Sequence, residues 1–530
     1  MRKCLLLAIG FFLISKVFSQ PAGSLDNMFN STGKVITDIA GKGDQAQACA
    51  IQTDGKIVVA GLTSGDATTK TDIGIVRYNS NGTLDNTFGT NGKVVTDIRN
   101  TRDYVTAVTI QQNGKIVVSG YSEIPFFSSQ YDFFAVRYNI DGSIDSTFNS
   151  TGIKTIHFGY SALSTCLLIQ PDKKIVFGGY LVQDLTLTNN SYIVARYNSD
   201  GSFDDNFSGD GKIVFYNFSG KLNAMDIQQD EKIIIGGTGK GISLMRFQQN
   251  GERDSTFGIN GIMNTRIDST KYTGNFELEG LKVQLDGKIV VTGNYYRNTT
   301  VKWDIFVARF NSNGSTDTTF GTRGITITDV DNNSEDFPHS LAIQTDGKIV
   351  IGGDVYTNGR NYFNICRYTA NGILDNSFSN DGKLLTEFNS TRNSFCNAIA
   401  LQQDDKIVAV GDRNDDANSL ATDFAVARYL SELTLSTKDF SKKDNAMLIY
   451  PNPVSASSIL KYELKEEQDI SIYLSDMQGK VIQTLVSQVN EMPGKHNLQL
   501  NISSDIPSGS YILIMESSKG SRASIKIMKQ

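Results

Sequence analysis

The amino-acid sequence predicts an all-β protein, and three observations carry that reading. One phrase recurs seven times at intervals of roughly sixty residues. Each copy is rich in β-branched and aromatic residues set between turns of Gly, Asn and Asp. Helix-favouring bias is absent.

The phrase reads IQTDGKIVVAG from Ile51, IQQNGKIVVSG from Ile110, IQPDKKIVFGG from Ile169 and IQQDEKIIIGG from Ile227. It continues as VQLDGKIVVTG from Val283, IQTDGKIVIGG from Ile343 and LQQDDKIVAVG from Leu401. A second phrase alternates with it, as in VRYNSNGTLDNTFGTNGKVVTDI from Val76 to Ile98. In the first period the pattern predicts strands near 46–52, 56–61, 73–79 and 93–98. Asp54-Gly55 and Asn81-Gly82 mark tight turns, because both centres of a type I′ turn need positive φ. Four short antiparallel strands per period is the arithmetic of a propeller blade.

Three residues before each anchor stand Ala48, Ala107, Cys166, Ala224, Gly280, Ser340 and Ala398, all small. Small side chains suit the strand nearest the axis, where neighbouring sheets crowd. The next residue is apolar each time, from Cys49 and Val108 to Ile399, which predicts packing against the adjacent blade. A lone fourth strand, Lys34 to Ile39, precedes the array, and a lone third strand, Phe424 to Tyr429, ends it. Pairing the two closes the ring and removes the free edges of an open array. The expectation is therefore a seven-bladed β-propeller over 23–430, followed by a small Ig-like β-sandwich.

Several polar residues keep one position in every repeat. These are Arg77, Arg137, Arg196, Arg246, Arg309, Arg367 and Arg428, and Asp26, Asp85, Asp145, Asp204, Asp254, Asp317 and Asp375. Lys56 and its six counterparts, and Phe29, Phe88 and their counterparts, recur likewise. A catalytic group is needed once, not seven times. The Arg and Asp series is read as ion pairs or carbonyl clamps that fix blade turns.

Variation is concentrated between the second and third strands of each repeat, at Tyr121 to Tyr131, Leu181 to Asn190, Tyr295 to Lys302 and Asp354 to Asn361. These connections open on the face opposite the regular turns, and loops on a rigid scaffold carry binding. Candidate ligand contacts there are Tyr121, Phe126, Phe127, Tyr131, Tyr295, Tyr296, Trp303 and Tyr356.

Catalysis finds little support. The three histidines are His157, read as within a strand, His339, read as a variable-loop residue near Glu335 and Asp336, and His496 in the C-terminal part. No GxSxG, HExxH or phosphate loop occurs. No cofactor or metal set is assigned. Glu335-Asp336 and Asp412 to Asp416 are the candidates for calcium, but they lack the ordered DxDxDG spacing. Cys49, Cys166, Cys366 and Cys396 show no metal-ligand spacing and read as small buried hydrophobes, with a Cys49–Cys396 bridge as the alternative.

The net charge of -6, without a basic stripe, argues against nucleic acid as a partner. Arg2 and Lys3, an apolar run from Leu5 to Ile14 and Val17-Phe18-Ser19 predict an export signal over 1–19. No later apolar stretch is long enough for a transmembrane helix.

The repeats, such as AIQTDGKIVVAG followed by VRYNSNGTLDNTFG, resemble delta-60 repeats of bacterial surface proteins. That resemblance implies a propeller and no established chemistry. After a polar linker at 431–444, residues 445–530 change character. Tyr450-Pro451-Asn452-Pro453, Asp476-Met477-Gln478-Gly479-Lys480, Pro507-Ser508-Gly509-Ser510-Tyr511 and the terminal KIMKQ resemble the type A C-terminal sorting domain of the type IX secretion system of Bacteroidetes. The resemblance implies export through that machinery, with the domain cleaved for lipopolysaccharide anchoring or the protein released. Gly479, Lys480, Gly509 and Tyr511 match its pattern. The resulting expectation is a non-enzymatic surface or secreted binding module for glycan or protein. A polysaccharide-acting lyase or glycosidase, and a structural surface component, are the alternatives.

Overall fold

The computed structural model describes residues 20–529 apart from 65–69, 183–189, 217–219, 240, 266–274, 298–301, 390, 415–420, 432–446, 451–453, 455–457, 465, 477–480 and 518–521. Two compact units result, one within 21–433 and one within 434–530. The expected export signal, most of the linker at 431–444, Pro451, Asn452, Pro453, Gly479 and Lys480 lie outside the described residues.

In the first unit the described residues form seven four-stranded antiparallel sheets. The first comprises Lys42–Ile51, Ile57–Ser64, Asp72–Tyr78 and Lys93–Thr96, in that order. The last comprises Ser394–Leu401, Ile407–Asn414 and Thr422–Tyr429, completed by Lys34–Thr37. Lys34 pairs with Ala427 and Thr37 with Phe424, antiparallel, so residues from opposite ends of the unit share one sheet. The first strands of successive sheets touch one another in sequence, and Ser394–Leu401 returns to Lys42–Ile51, which closes the circuit. An apolar cluster seals that closing seam, with Val59, Val76 and Tyr78 against Val408, Val426 and Phe29. Burying Phe29 in full contributes on the order of 2–3 kcal/mol.

Each first strand carries a one-residue irregularity at the same place. Register shifts fall between Ala46 and Ala48, Val105 and Ala107, Ser164 and Cys166, Leu222 and Ala224, Leu278 and Gly280, Pro338 and Ser340, and Cys396 and Ala398. The bulge presses a carbonyl onto the second strand, and this explains the glycine that ends every IQTDGKIVVAG-type phrase. A Cβ on Gly61 would stand 1.9 Å from the Gln45 oxygen, and one on Gly120 would stand 1.9 Å from the Tyr104 oxygen. No side chain fits there.

The C-terminal unit packs two sheets into a sandwich. One orders Leu448–Tyr450, Ile459–Leu464 and Gly494–Gln499, and the other orders Val481–Glu491, Gln468–Ser475, Gly509–Ser517 and Arg522–Lys529. Alternation sets the inner face: Leu460, Tyr462 and Leu464 are buried while their neighbours face solvent. Gly509 opens its strand, and buried Tyr511 donates its hydroxyl to the Pro507 carbonyl at 2.8 Å.

All four described cysteines are free thiols, which corrects the Cys49–Cys396 alternative. They pack in the apolar seams between sheets.

Candidate functional site

The strands alternate in direction, so the first–second and third–fourth connections share one face of the ring. The repeated polar residues meet there. Arg77 Nε donates to Asp85 Oδ2 at 2.7 Å, and Lys56 Nζ lies 3.3 Å from the same oxygen. Five further repeats copy the Arg–Asp bond at 2.5–2.9 Å, from Arg137–Asp145 to Arg367–Asp375. Arg428 closes the series on Asp26 at 2.8 Å, through Nη2 rather than Nε. Each Nη1 reaches a carbonyl in the following turn: Arg196 to Gln249 and Arg246 to Ser312 at 2.5 Å, Arg309 to Ala370 at 2.6 Å, and Arg428 to Ser80 of the first repeat. The guanidinium also lies over a buried phenylalanine, as Arg77 does over Phe88 at 4.5 Å. That ring packs under the next turn's Gly142, where a Cβ would meet it at 2.8 Å.

The carboxylates are tuned accordingly. Burial alone would raise Asp85, Asp254 and Asp317, but hydrogen bonds from the neighbouring Thr, with Arg and, at Asp85 and Asp254, Lys, hold each down at about 2. The Arg and Asp side chains of the clamps are buried and join blade to blade.

The opposite face differs in every repeat. Tyr121 and Tyr131 lie on strands, not in a loop, because the second hairpin runs from Ile116–Ile124 directly into Phe127–Tyr138. Tyr121 stacks on Tyr104 at 5.0 Å, and Tyr131 meets both rings edge-on at 5.2 and 5.9 Å. Phe126 at the hairpin tip is fully exposed with φ of 68°, and Phe127 beside it is 58% exposed. Tyr296 packs on Trp303 at 4.8 Å, and Tyr356 is 42% exposed. Tyr295 corrects the expectation, because it is 6% exposed and packs on Phe276 inside the core. Its hairpin extends to Arg297, so a residue read as loop is a strand residue facing inward.

The bulges create a feature that the sequence reading missed. The bulged residues are Gln47, Thr106, Thr165, Asn223, Glu279, His339 and Asn397, polar in all seven inner strands. Bulges re-aim side chains, here along the inner circuit. Thr165 donates to the Leu222 carbonyl at 2.6 Å, Asn223 to Leu278 at 2.8 Å and Asn397 to Ala46 at 2.8 Å, each across to the next sheet. His339 lies in the strand Glu335–Ile343, not in a loop, and its Nε2 meets Asp354 Oδ1 at 2.9 Å. Burial would lower its pKa, but Asp354 and Glu279 raise it. Burial pushes the Glu279 carboxyl up to about 7, and Asn223 donates to it at 3.2 Å. Asp412, also buried, rises to about 7 beside Asn397 and Asp354. His157 follows its strand rather than lying within it, and Nδ1 meets Asp132 at 2.8 Å. Of the calcium candidates, Asp336 is buried beside Asp304 and Asp329, Asp412 is buried beside Asn397, and 415–416 lie outside the described residues.

Fold and clamps together define a propeller of repeated antiparallel sheets carrying a separate β-sandwich tail. The repeats match the family model described as a domain of unknown function (DUF5122) beta-propeller, at residues 52–88, 111–148, 170–207, 228–257, 284–320 and 344–378. The tail matches the family model of the secretion system C-terminal sorting domain at 448–530. A type IX sorting tail of this kind marks a protein that is secreted or displayed on the outer surface. No helix among the described residues is long and apolar enough to cross a membrane. No curated protein matches the chain. Solved structures similar to it include a catalytically inactive virginiamycin B lyase from Staphylococcus aureus, 10% identical with TM-score 0.41, covering 74% of this chain and 98% of the lyase. An ulvan lyase is 10% identical with TM-score 0.43, covering 76% and 98%. The α-L-arabinofuranosidase Arb93A of Fusarium graminearum is 8% identical with TM-score 0.40, covering 76% and 98%.

Proposed function

We propose that this exported propeller is a binding module that takes a glycan or a protein on the face opposite its clamps. The observation carrying this is the tip of the second hairpin. Phe126 is fully exposed and holds a left-handed backbone conformation that bulky residues rarely adopt. The two-residue turn between Ile124 and Phe127 accounts for its φ, and the ring left in solvent at that turn supports a role in contact with a ligand. Phe127 extends the apolar surface, and Tyr104, Tyr121 and Tyr131 pack together on the strands of the same sheet. A screen of the full-length protein against a glycan array, with a parallel capture of surface proteins, tests the reading. Saturable binding of one class supports it, and no binding in either overturns it.

One observation favours a second reading, catalysis on polysaccharide. Glu279, whose carboxyl sits at about 7, shares the inner ring with the His339–Asp354 pair. A carboxyl protonated near neutrality serves as a general acid, and a histidine serves as a base. Release of unsaturated or reducing ends from polysaccharide, lost in Glu279→Gln while binding persists, would establish it.

A further inference from the structure

We infer that a cavity on the clamp face, between the second and third sheets, binds a short peptide through its carboxylate. This face is opposite the second hairpin, so the site stands or falls independently of recognition there. The cavity measures about 950 Å³, within the roughly 300–1,000 Å³ typical of small-ligand sites. Its floor is aliphatic. Ile110, Ile169 and Ile227, the last residues of the first strands of the second, third and fourth sheets, line it together with Pro171.

Three other seams span the same gap with a side chain. Gln228 Nε2 donates to the Gly287 carbonyl at 3.2 Å, Gln344 to Asp405 at 3.1 Å and Gln402 to Gly55 at 3.2 Å. Gln111, their counterpart in the second sheet, makes no such bridge among the described residues. The cavity is lined by Gln111 and by Lys173, the residue whose carbonyl that bridge would reach.

The polar groups of the lining call for a ligand that both donates and carries negative charge. Gln111 is buried, and its Oε1 accepts nothing. In three other sheets the matching oxygen caps the clamp arginine: Arg196 donates to Gln170 at 3.4 Å, and Arg246 to Gln228 and Arg428 to Gln402 at 3.1 Å. Arg137 lines the cavity without that cap, its guanidinium held by Asp145, the Ser199 carbonyl and Thr147. Gln52, Gln284 and Gln344 leave the same oxygen unmatched, so the amide alone marks no site.

What sets this seam apart is a cation. The turn position that Gly55, Gly114, Gly287 and Gly347 fill with positive φ, and that Glu231 and Asp405 fill with acids, is Lys173 here, at φ of 72°. Lys173 is exposed, and its ammonium has no partner among the described residues. Asp200 also lines the cavity, but its Oδ1 accepts the Ser202 amide and hydroxyl at 2.9 and 2.7 Å. A carboxylate answers Lys173 and the Arg137 guanidinium, and a peptide N–H answers the Gln111 oxygen. No aromatic ring is among the described lining residues, so the floor suits an aliphatic side chain rather than a stacked sugar.

Calorimetric titration of the full-length protein with N-acetyl tripeptides centred on Leu, Ile or Val tests the site. One set carries a free C-terminal carboxylate as its sole charge, and the other is amidated and carries Asp or Glu. One set or both should bind saturably with Kd on the order of 10⁻⁵–10⁻³ M, which tells a terminal carboxylate from a side-chain one. Lys173→Gly removes the cation and suits the positive φ of the turn, so the melting temperature should stay near wild type while affinity falls about tenfold or more. Lys70→Ala, which removes an exposed charge just before the third strand of the first sheet, should leave affinity unchanged. No saturable binding by either set, binding of glucuronate or galacturonate alone, or wild-type affinity in Lys173→Gly overturns the site.

Discussion

Arg428 in the last strand of the propeller pairs with Asp26, near its beginning in sequence, at 2.8 Å, and also donates to the Ser80 carbonyl of the first repeat. One side chain therefore ties the closing sheet to the segment that completes it and to the sheet that follows. Removing it leaves Asp26 buried without its guanidinium, with Lys406 at 3.3 Å as the remaining cation. Arg428→Ala is expected to destabilise the propeller by about 3–5 kcal/mol. Denaturant unfolding checks this, and a loss under about 1 kcal/mol would show that closure rests on the apolar seam alone.

The bulge makes a similarly sharp demand. Gly120→Ala places a methyl group 1.9 Å from the Tyr104 carbonyl and 2.8 Å from the Phe134 ring. Overpacking of this kind costs about 1–3 kcal/mol or more, and a stability equal to wild type in thermal melts would mean the two strands can separate freely there.

Two sets of carboxyl groups titrate with opposite signs. Asp85, Asp254 and Asp317 are held at about 2, below the unfolded value of about 3.9, so their stabilisation is present above pH ~4 and is lost as pH falls through about 2. Glu279, Asp336 and Asp412 are held up at about 7, so their contribution is complete below pH ~4 and is lost as pH rises through about 7. Melting temperature against pH should fall on both sides of a mildly acidic maximum. Glu279→Gln should flatten the alkaline limb, and an unchanged limb would remove Glu279 from it.

The sorting tail gives a cellular prediction. Arg522–Lys529 is an edge strand that pairs along Gly509–Ser517, and Lys529 Nζ donates to the Ile506 carbonyl at 2.6 Å. Deleting 522–530 should keep the propeller from reaching the medium or outer surface. Immunodetection on intact cells checks it, and undiminished display would place the export signal elsewhere in the chain.

The repeat made much of the architecture legible, because Arg77, Asp85, Phe88 and Gly61 each stand for a series whose spacing records one blade. The inner ring was harder to see. His339, read as a variable-loop residue, lies in a strand, where the bulge between Pro338 and Ser340 brings it to Asp354. Polar residues at all seven bulges were a signal in plain view, but only the register shift gives it meaning. Tyr295 was misread because its hairpin runs further than the variable sequence suggested.

Recognition through the second hairpin is tested most directly by Phe126→Ala/Phe127→Ala. Both rings are exposed, so folding should be nearly untouched, within about 0.5 kcal/mol. Affinity for the glycan or protein recovered in the screens, measured by surface plasmon resonance on wild type and the double variant, should fall by about tenfold or more at an unchanged melting temperature. Equal affinity in the two proteins would contradict the account.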